Sequence, residues 1–145
     1  MTDEDANGMD FEASADIQAP PDRIWSILTD APAYPTWGSG VTNVEGRIAD
    51  GEKITVRSEV AAGRAFPVKV AMRPPNEMTW TGGMPLGLFT GVRSFRLAPT
   101  DSGTKVTMRE EYSGPLAGLM SRSIPDLQPS FDTFVTGLKA HAEAG

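Results

Sequence analysis

The sequence predicts an α+β fold in which one long C-terminal helix lies on an antiparallel sheet. Two observations carry this. From Leu116 to Glu143 the apolar residues Leu116, Leu119, Met120, Ile124, Leu127, Phe131, Phe134, Val135, Leu138 and Ala142 recur in steps of three and four, which places them on one side of a helix. From Val41, by contrast, apolar and polar residues alternate for about seventy residues, the period of strands with one face buried. An amphipathic helix of that length needs a large apolar partner, and the sheet supplies it.

The elements follow in order. Residues 1–9 are acidic and small, and are expected to form a disordered tail before a single domain over 10–145. Phe11, Ala13, Ala15 and Ile17 then alternate with Glu12, Ser14, Asp16 and Gln18, which reads as a half-buried strand. Ala19-Pro20-Pro21 ends it and suits a helix start. Ile24, Trp25, Ile27 and Leu28 make a short amphipathic helix through Thr29, and Asp30 to Trp37 reads as one helical turn and a loop.

Three hairpins come next. In the first, Val44, Gly46 and Ile48 lead to a turn at Asp50-Gly51, and Ile54, Val56, Ser58 and Val60 return. The second runs through Phe66, Val68, Val70 and Met72, turns over Pro74 to Glu77, and returns through Met78 and Trp80. The third runs from Phe89 to Leu97, turns over Thr100 to Gly103, and returns from Val106 to Tyr112. Between the last two lies the glycine-rich stretch Gly82 to Gly87. It lacks a phosphate-loop lysine and opens no helix, so it reads as a plain loop or as a lid over a pocket mouth. In the closing segment Pro125 and Pro129 each remove a backbone donor. A short helix over Leu116–Ser123, a break, and a main helix from about Asp126 or Pro129 are expected.

Composition narrows the function classes. The 145 residues suffice for one substantial core, and a formal net charge of −6 with no basic run argues against nucleic acid or an anionic membrane as partner. No apolar run is long enough for stable membrane insertion, so the cytoplasm is the default compartment. Cysteine is absent, which removes thiol chemistry, and His141 is the one histidine, which argues against histidine-based zinc sites and Ser-His-Asp triads. His141, in the last helical turn, is expected to meet the terminal carbonyls. No metal or cofactor is expected, and the oligomeric state is left open.

The chemistry-bearing residues lie in the third hairpin. A four-residue turn at 100–103 sets Leu97 opposite Val106, Phe95 opposite Met108, Arg93 opposite Glu110 and Gly91 opposite Tyr112, all on the apolar parity. An arginine and a glutamate on a dry face must pair, because a lone charge there costs several kcal/mol. The pair serves either as a structural ion pair at the sheet's end or as a polar anchor in an apolar cavity. Tyr112 either offers its hydroxyl to the same spot or bonds backbone. Met72, Met78, Met108 and Met120, with Trp25, Trp37, Trp80, Phe89 and Phe95, are expected at the sheet–helix interface, where methionine adapts to irregular space.

Several strings, taken together and in order, give the chain a resemblance. They are Ile17-Gln18-Ala19-Pro20 with Ile24-Trp25 and Leu28-Thr29-Asp30, then Tyr34-Pro35-Thr36-Trp37 and Val44-Glu45-Gly46. Gly51 before Ile54-Thr55-Val56, Met78-Thr79-Trp80 and Gly103-Thr104-Lys105-Val106-Thr107 follow. Glu110-Glu111-Tyr112-Ser113-Gly114 and Leu138-Lys139-Ala140-His141-Ala142-Glu143 complete the set. From Phe11 to Glu143 the chain resembles the START-like helix-grip superfamily, often labelled SRPBCC. That group includes lipid-transfer domains, birch-pollen-allergen-like proteins and polyketide cyclases/dehydrases.

The resemblance implies a curved seven-stranded antiparallel sheet around the C-terminal helix, with an apolar cavity between them. Carried onto this sequence, it implies a lining of Trp37, Val56, Met72, Trp80, Phe89, Arg93, Phe95, Met108, Glu110, Tyr112, Leu127, Phe131 and Phe134. The leading expectation is a binder of a small hydrophobic or amphipathic ligand, lipid-like or polyketide-like, oriented by Arg93 and Glu110. The alternative is a cyclase/aromatase-like enzyme in which Arg93 polarises a ketide oxygen and Glu110 or Tyr112 moves a proton. A third is a protein–protein adaptor with a vestigial pocket. Pro125 and Pro129 depart from the family's unbroken helix and bear on the cavity mouth.

Overall fold

The computed structural model describes residues 10–120, 122 and 124–144. The expected tail over 1–9, and Ser121 and Ser123 of the expected short helix, lie outside the described residues. Strand β1 (Asp10–Ile17) leads to helix α1 (Pro21–Leu28) and a 3-10 segment (Ala31–Thr36). Six strands follow: β2 (Val41–Glu45), β3 (Lys53–Ser58), β4 (Phe66–Arg73), β5 (Glu77–Gly83), β6 (Thr90–Pro99) and β7 (Thr104–Ser113). Helices α2 (Ala117–Met120) and α3 (Gln128–Ala144) close the described chain.

The seven strands form one antiparallel sheet in the order β1-β7-β6-β5-β4-β3-β2, the helix-grip arrangement. The third hairpin has the register that the turn length predicts, with Arg93 facing Glu110 and Gly91 facing Tyr112. The first hairpin differs from expectation at its end. β3 stops at Ser58, and Val60 belongs to a 3-10 turn (Glu59–Ala61) and is exposed. Alternation continues through that turn in the sequence, but the backbone leaves the ladder.

α3 begins at Gln128, between the two starts the prolines allowed. Pro129 is its second residue, where a missing N–H costs nothing, and the Asp126 carboxylate accepts from the Gln128 N–H at 3.1 Å. Phe131, Phe134, Val135, Leu138 and Ala142 are its buried side, as the spacing predicts. Leu119 departs from the stripe and is exposed, because it sits on the separate short helix rather than on α3. The packing of α3 requires Gly137. A Cβ there would stand 2.6 Å from the carbonyl oxygens of Trp37 and Gly38.

α3 also covers the outer edge of β1. Gln128 Nε2 donates to the Glu12 carbonyl at 2.8 Å and Lys139 Nζ to the Asp16 carbonyl at 2.7 Å. The Glu143 carboxylate accepts from the Gln18 N–H at 2.9 Å. That bond, and then the bond from Lys139, hold its pKa below the usual carboxylate range. The end of α3 is not closed by His141, as expected from sequence. Arg23 of α1 donates to the carbonyls of Ala142 (3.0 Å) and His141 (3.3 Å), while the imidazole stacks near Trp37 with centroids 6.4 Å apart.

Candidate functional site

One end of the space between α3 and the sheet is solid and the other is hollow. At the solid end Phe95, Leu97, Met78, Val106 and Leu138 are buried almost completely. At the hollow end lies a cavity of about 520 Å³, of the size that holds a small organic molecule. Val56, Val68, Trp80, Phe89 and Met108 line it from the sheet side, and Leu127, Phe131 and Phe134 from α3 and its approach. Met120 at the end of α2, with Ile124 and Pro125 between the two C-terminal helices, completes the lining from that side.

The polar group in this wall is built by the β6–β7 register. Arg93 Nε donates to Glu110 Oε1 at 2.7 Å, and the Tyr112 hydroxyl donates to Glu110 Oε2. Both carboxylate oxygens are thus used. The Arg93 and Glu110 side chains are 22% and 15% exposed, so the pair is largely out of water. The guanidinium lies 4.8 Å from the centre of the Phe131 ring, a cation–π contact that joins the sheet to α3.

Tyr112 is aimed by what surrounds its ring. Gly91 faces it across the ladder, and a Cβ on Gly91 would come within 3.1 Å of the ring. The bare backbone lets the ring lie flat. Phe89 stacks on it at 5.6 Å and 10°, and Phe11 meets it edge-on at 6.4 Å. Burial first, then the charge of Glu110 and the hydrogen bond to it, push the hydroxyl well above the usual phenol range, against the opposing effect of Arg93. Tyr112 therefore stays protonated and acts as a donor, and its partner is the carboxylate rather than backbone.

Ten of the thirteen residues expected at the cavity line it: Val56, Trp80, Phe89, Arg93, Met108, Glu110, Tyr112, Leu127, Phe131 and Phe134. Trp37, Met72 and Phe95 do not, and the reason is depth along the interface rather than face. Phe95 packs under Trp80 at 4.9 Å and against Phe134 at 5.8 Å, inside the solid part. Trp37 is wedged between Tyr34 (5.2 Å) and Phe134 (5.1 Å). Met72 pairs with Met78 near the far turn of its hairpin.

Sequence reasoning missed the β3–β4 side of the rim, formed by Val60, Arg64 and Phe66. It offered the glycine-rich stretch, whose Gly83 and Met84 also line the cavity, as a lid in one of two readings. Val60, Arg64 and Met84 sit between strands, where alternation carries no information about facing, and Phe66 and Gly83 are terminal residues of theirs. Leu86 on that loop is 96% exposed in a left-handed conformation (φ 63°). Two indole N–H groups, those of Trp37 and Trp80, are buried with no acceptor among the described residues.

Comparison with known proteins agrees with this architecture. Residues 9–143 match the model of the family described as polyketide cyclase / dehydrase and lipid transport. No curated protein matches the chain. Among solved structures it is similar to the Zhui aromatase/cyclase from Streptomyces sp. R1128, with a TM-score of 0.71, 14% identity and 93% of each chain covered. The di-domain aromatase/cyclase StfQ of steffimycin biosynthesis gives a TM-score of 0.75 at 14% identity, covering 98% of this chain and 53% of that one. Hypothetical protein jhp0584 from Helicobacter pylori gives 0.74 at 13% identity, with 94% and 89% covered. At these identities the likeness is one of fold. No helix among the described residues is long and apolar enough to cross a membrane.

Proposed function

The chain belongs to the polyketide cyclase / dehydrase and lipid transport family, and on that premise we propose that it binds a small hydrophobic or amphipathic molecule between the sheet and α3. The observation that carries this is the cavity of about 520 Å³ with an apolar wall and one ion pair in it. Apolar surroundings supply most of the affinity by burying ligand surface, and few convergent polar groups fix its orientation. Arg93 is the orienting group, since its position is set by Glu110 on one side and Phe131 on the other.

Native mass spectrometry of freshly purified protein tests this reading. A bound or titratable hydrophobic ligand is expected, with affinity reduced in Arg93→Met. Protein that neither carries nor takes up such a ligand would point instead to an adaptor with a vestigial pocket.

A second reading, cyclase/aromatase chemistry, is favoured by the hydroxyl–carboxylate–guanidinium chain. Arg93 would polarise a ketide oxygen, and Glu110, relaying through Tyr112, would accept or return a proton. Turnover of a poly-β-ketone substrate by the native chain, Glu110→Gln and Tyr112→Phe decides it. Equal turnover in all three discards the catalytic roles.

A further inference from the structure

The hydrogen-bonding groups around the cavity do not balance. Glu110 has no oxygen to spare, because Arg93 and Tyr112 occupy both. Arg93 uses only its Nε–H, so both Nη groups are without a hydrogen bond to the described protein. Trp80, facing Arg93 across β5 and β6, has a buried indole N–H that is closed off from the cavity and takes no part in this balance. At the rim the exposed Arg64 is in no ion pair with the described carboxylates, and its guanidinium rests 5.6 Å from the centre of the Phe66 ring. Against these donors stands one unused carboxylate, Glu59, on the same rim.

We infer that the cavity takes an anionic amphiphile with an acceptor oxygen along its apolar part, its acid group resting on Arg64 at the mouth. A long-chain carboxylate carries the charge of this class in its simplest form, and an oxo- or hydroxy-carboxylate carries the inner acceptor as well. This rests on the binding reading above and adds the charge and polarity of what is bound. A purely apolar molecule would strip water from the Nη groups of Arg93 without replacing it. A cationic amphiphile would meet two guanidinium groups. The acid group belongs at the mouth because an anion beside Arg93 would also stand beside Glu110, with two negative charges sharing one guanidinium. Arg93 therefore receives a neutral acceptor, and the formal charge goes to Arg64. There the acid stays partly hydrated, and the aromatic ring under the guanidinium restrains it before binding.

The test displaces a neutral fluorescent reporter, N-phenyl-1-naphthylamine, with dodecanoate, methyl dodecanoate and dodecylamine, all below their micelle concentrations. Dodecanoate is expected to bind about three- to five-fold tighter than its methyl ester, as befits one solvent-exposed ion pair, and dodecylamine more weakly than either. Arg64→Gln should erase the advantage of the acid and leave the ester unchanged. Glu59→Gln should enlarge it, and added salt should shrink it. An ester that binds as tightly as the acid, or an Arg64→Gln chain weakened equally for both, overturns the inference while leaving the cavity reading intact. Failure of the reporter and all three probes to bind overturns both.

Discussion

Arg93 and Glu110 face one another because the hairpin turn is four residues long and both side chains fall on the inward parity. Each would be costly alone. Replacing Arg93 by methionine leaves a carboxylate at 15% exposure with only the Tyr112 hydroxyl for company. A loss of about 2–3 kcal/mol in urea unfolding is expected, with about 1 kcal/mol recovered when Glu110→Gln is added, since removing both charges relieves the unpaired one.

The tyrosines give a separate pH signature. The chain has two, and burial leads in pushing both Tyr34 and Tyr112 above the phenol value of 10. Above that value the unfolded chain loses protons that the folded chain retains. Their contribution to stability is therefore complete below pH 10 and is lost as pH rises toward the folded values. At about pH 11, where a free phenol is mostly ionised, phenolate absorbance should be missing from the native protein and appear with unfolding. Early phenolate absorbance in a folded chain would contradict the buried placement. The facing pair was legible in the sequence from turn length and parity. The bond from Tyr112 to Glu110 was not, because it depends on where the ring can lie, and Gly91 decides that.

At the scale of elements, α3 shows what periodicity reports and what it omits. Steps of three and four correctly gave Phe131, Phe134, Val135, Leu138 and Ala142 as one buried side. The prolines bracketed its start. Nothing in that pattern announced Gly137, whose spacing looks like an ordinary polar-side position. Alanine in place of a mid-helix glycine ordinarily stabilises by about 1 kcal/mol. Here the sign reverses, because the new Cβ would stand 2.6 Å from two backbone carbonyls that cannot rotate away. Gly137→Ala should lose about 1–3 kcal/mol in thermal or urea unfolding, as overpacked sites do. The contact of Arg23 with the last carbonyls of α3 was equally invisible. It joins residues 118 and 119 positions apart in the chain, and the local pattern had offered His141 instead.

For the molecule as a whole, strand number and the three hairpin pairings were legible because alternation and turn residues recur in step. The place of β1 beside β7 was not, because that pairing joins the two ends of the sheet's sequence. Nor was the location of the hollow. Inward parity is the same for Phe95, in solid core, as for Arg93, in the cavity wall, and the two differ only in distance along the strand. A hollow domain should respond strongly to whatever fills it. A ligand at about a hundred times its Kd adds about 2.7 kcal/mol to the folded state, which for a chain of this length raises Tm by about 8 °C. Scanning calorimetry with increasing ligand checks this, and a Tm that stays fixed at saturation would mean the cavity is not where the molecule binds.

The side chains of Gln128, Lys139 and Glu143 tie α3 to the backbone of β1 and the residue just after it, so this helix does more than roof the cavity. Undocking it would bare an apolar trough and, in the same event, eight residues of ladder whose free carbonyls can recruit a strand from another chain. Ligand release by wide opening and self-association thus share a first step. A filled cavity should suppress clumping of the protein near its melting temperature more than the gain in stability alone would.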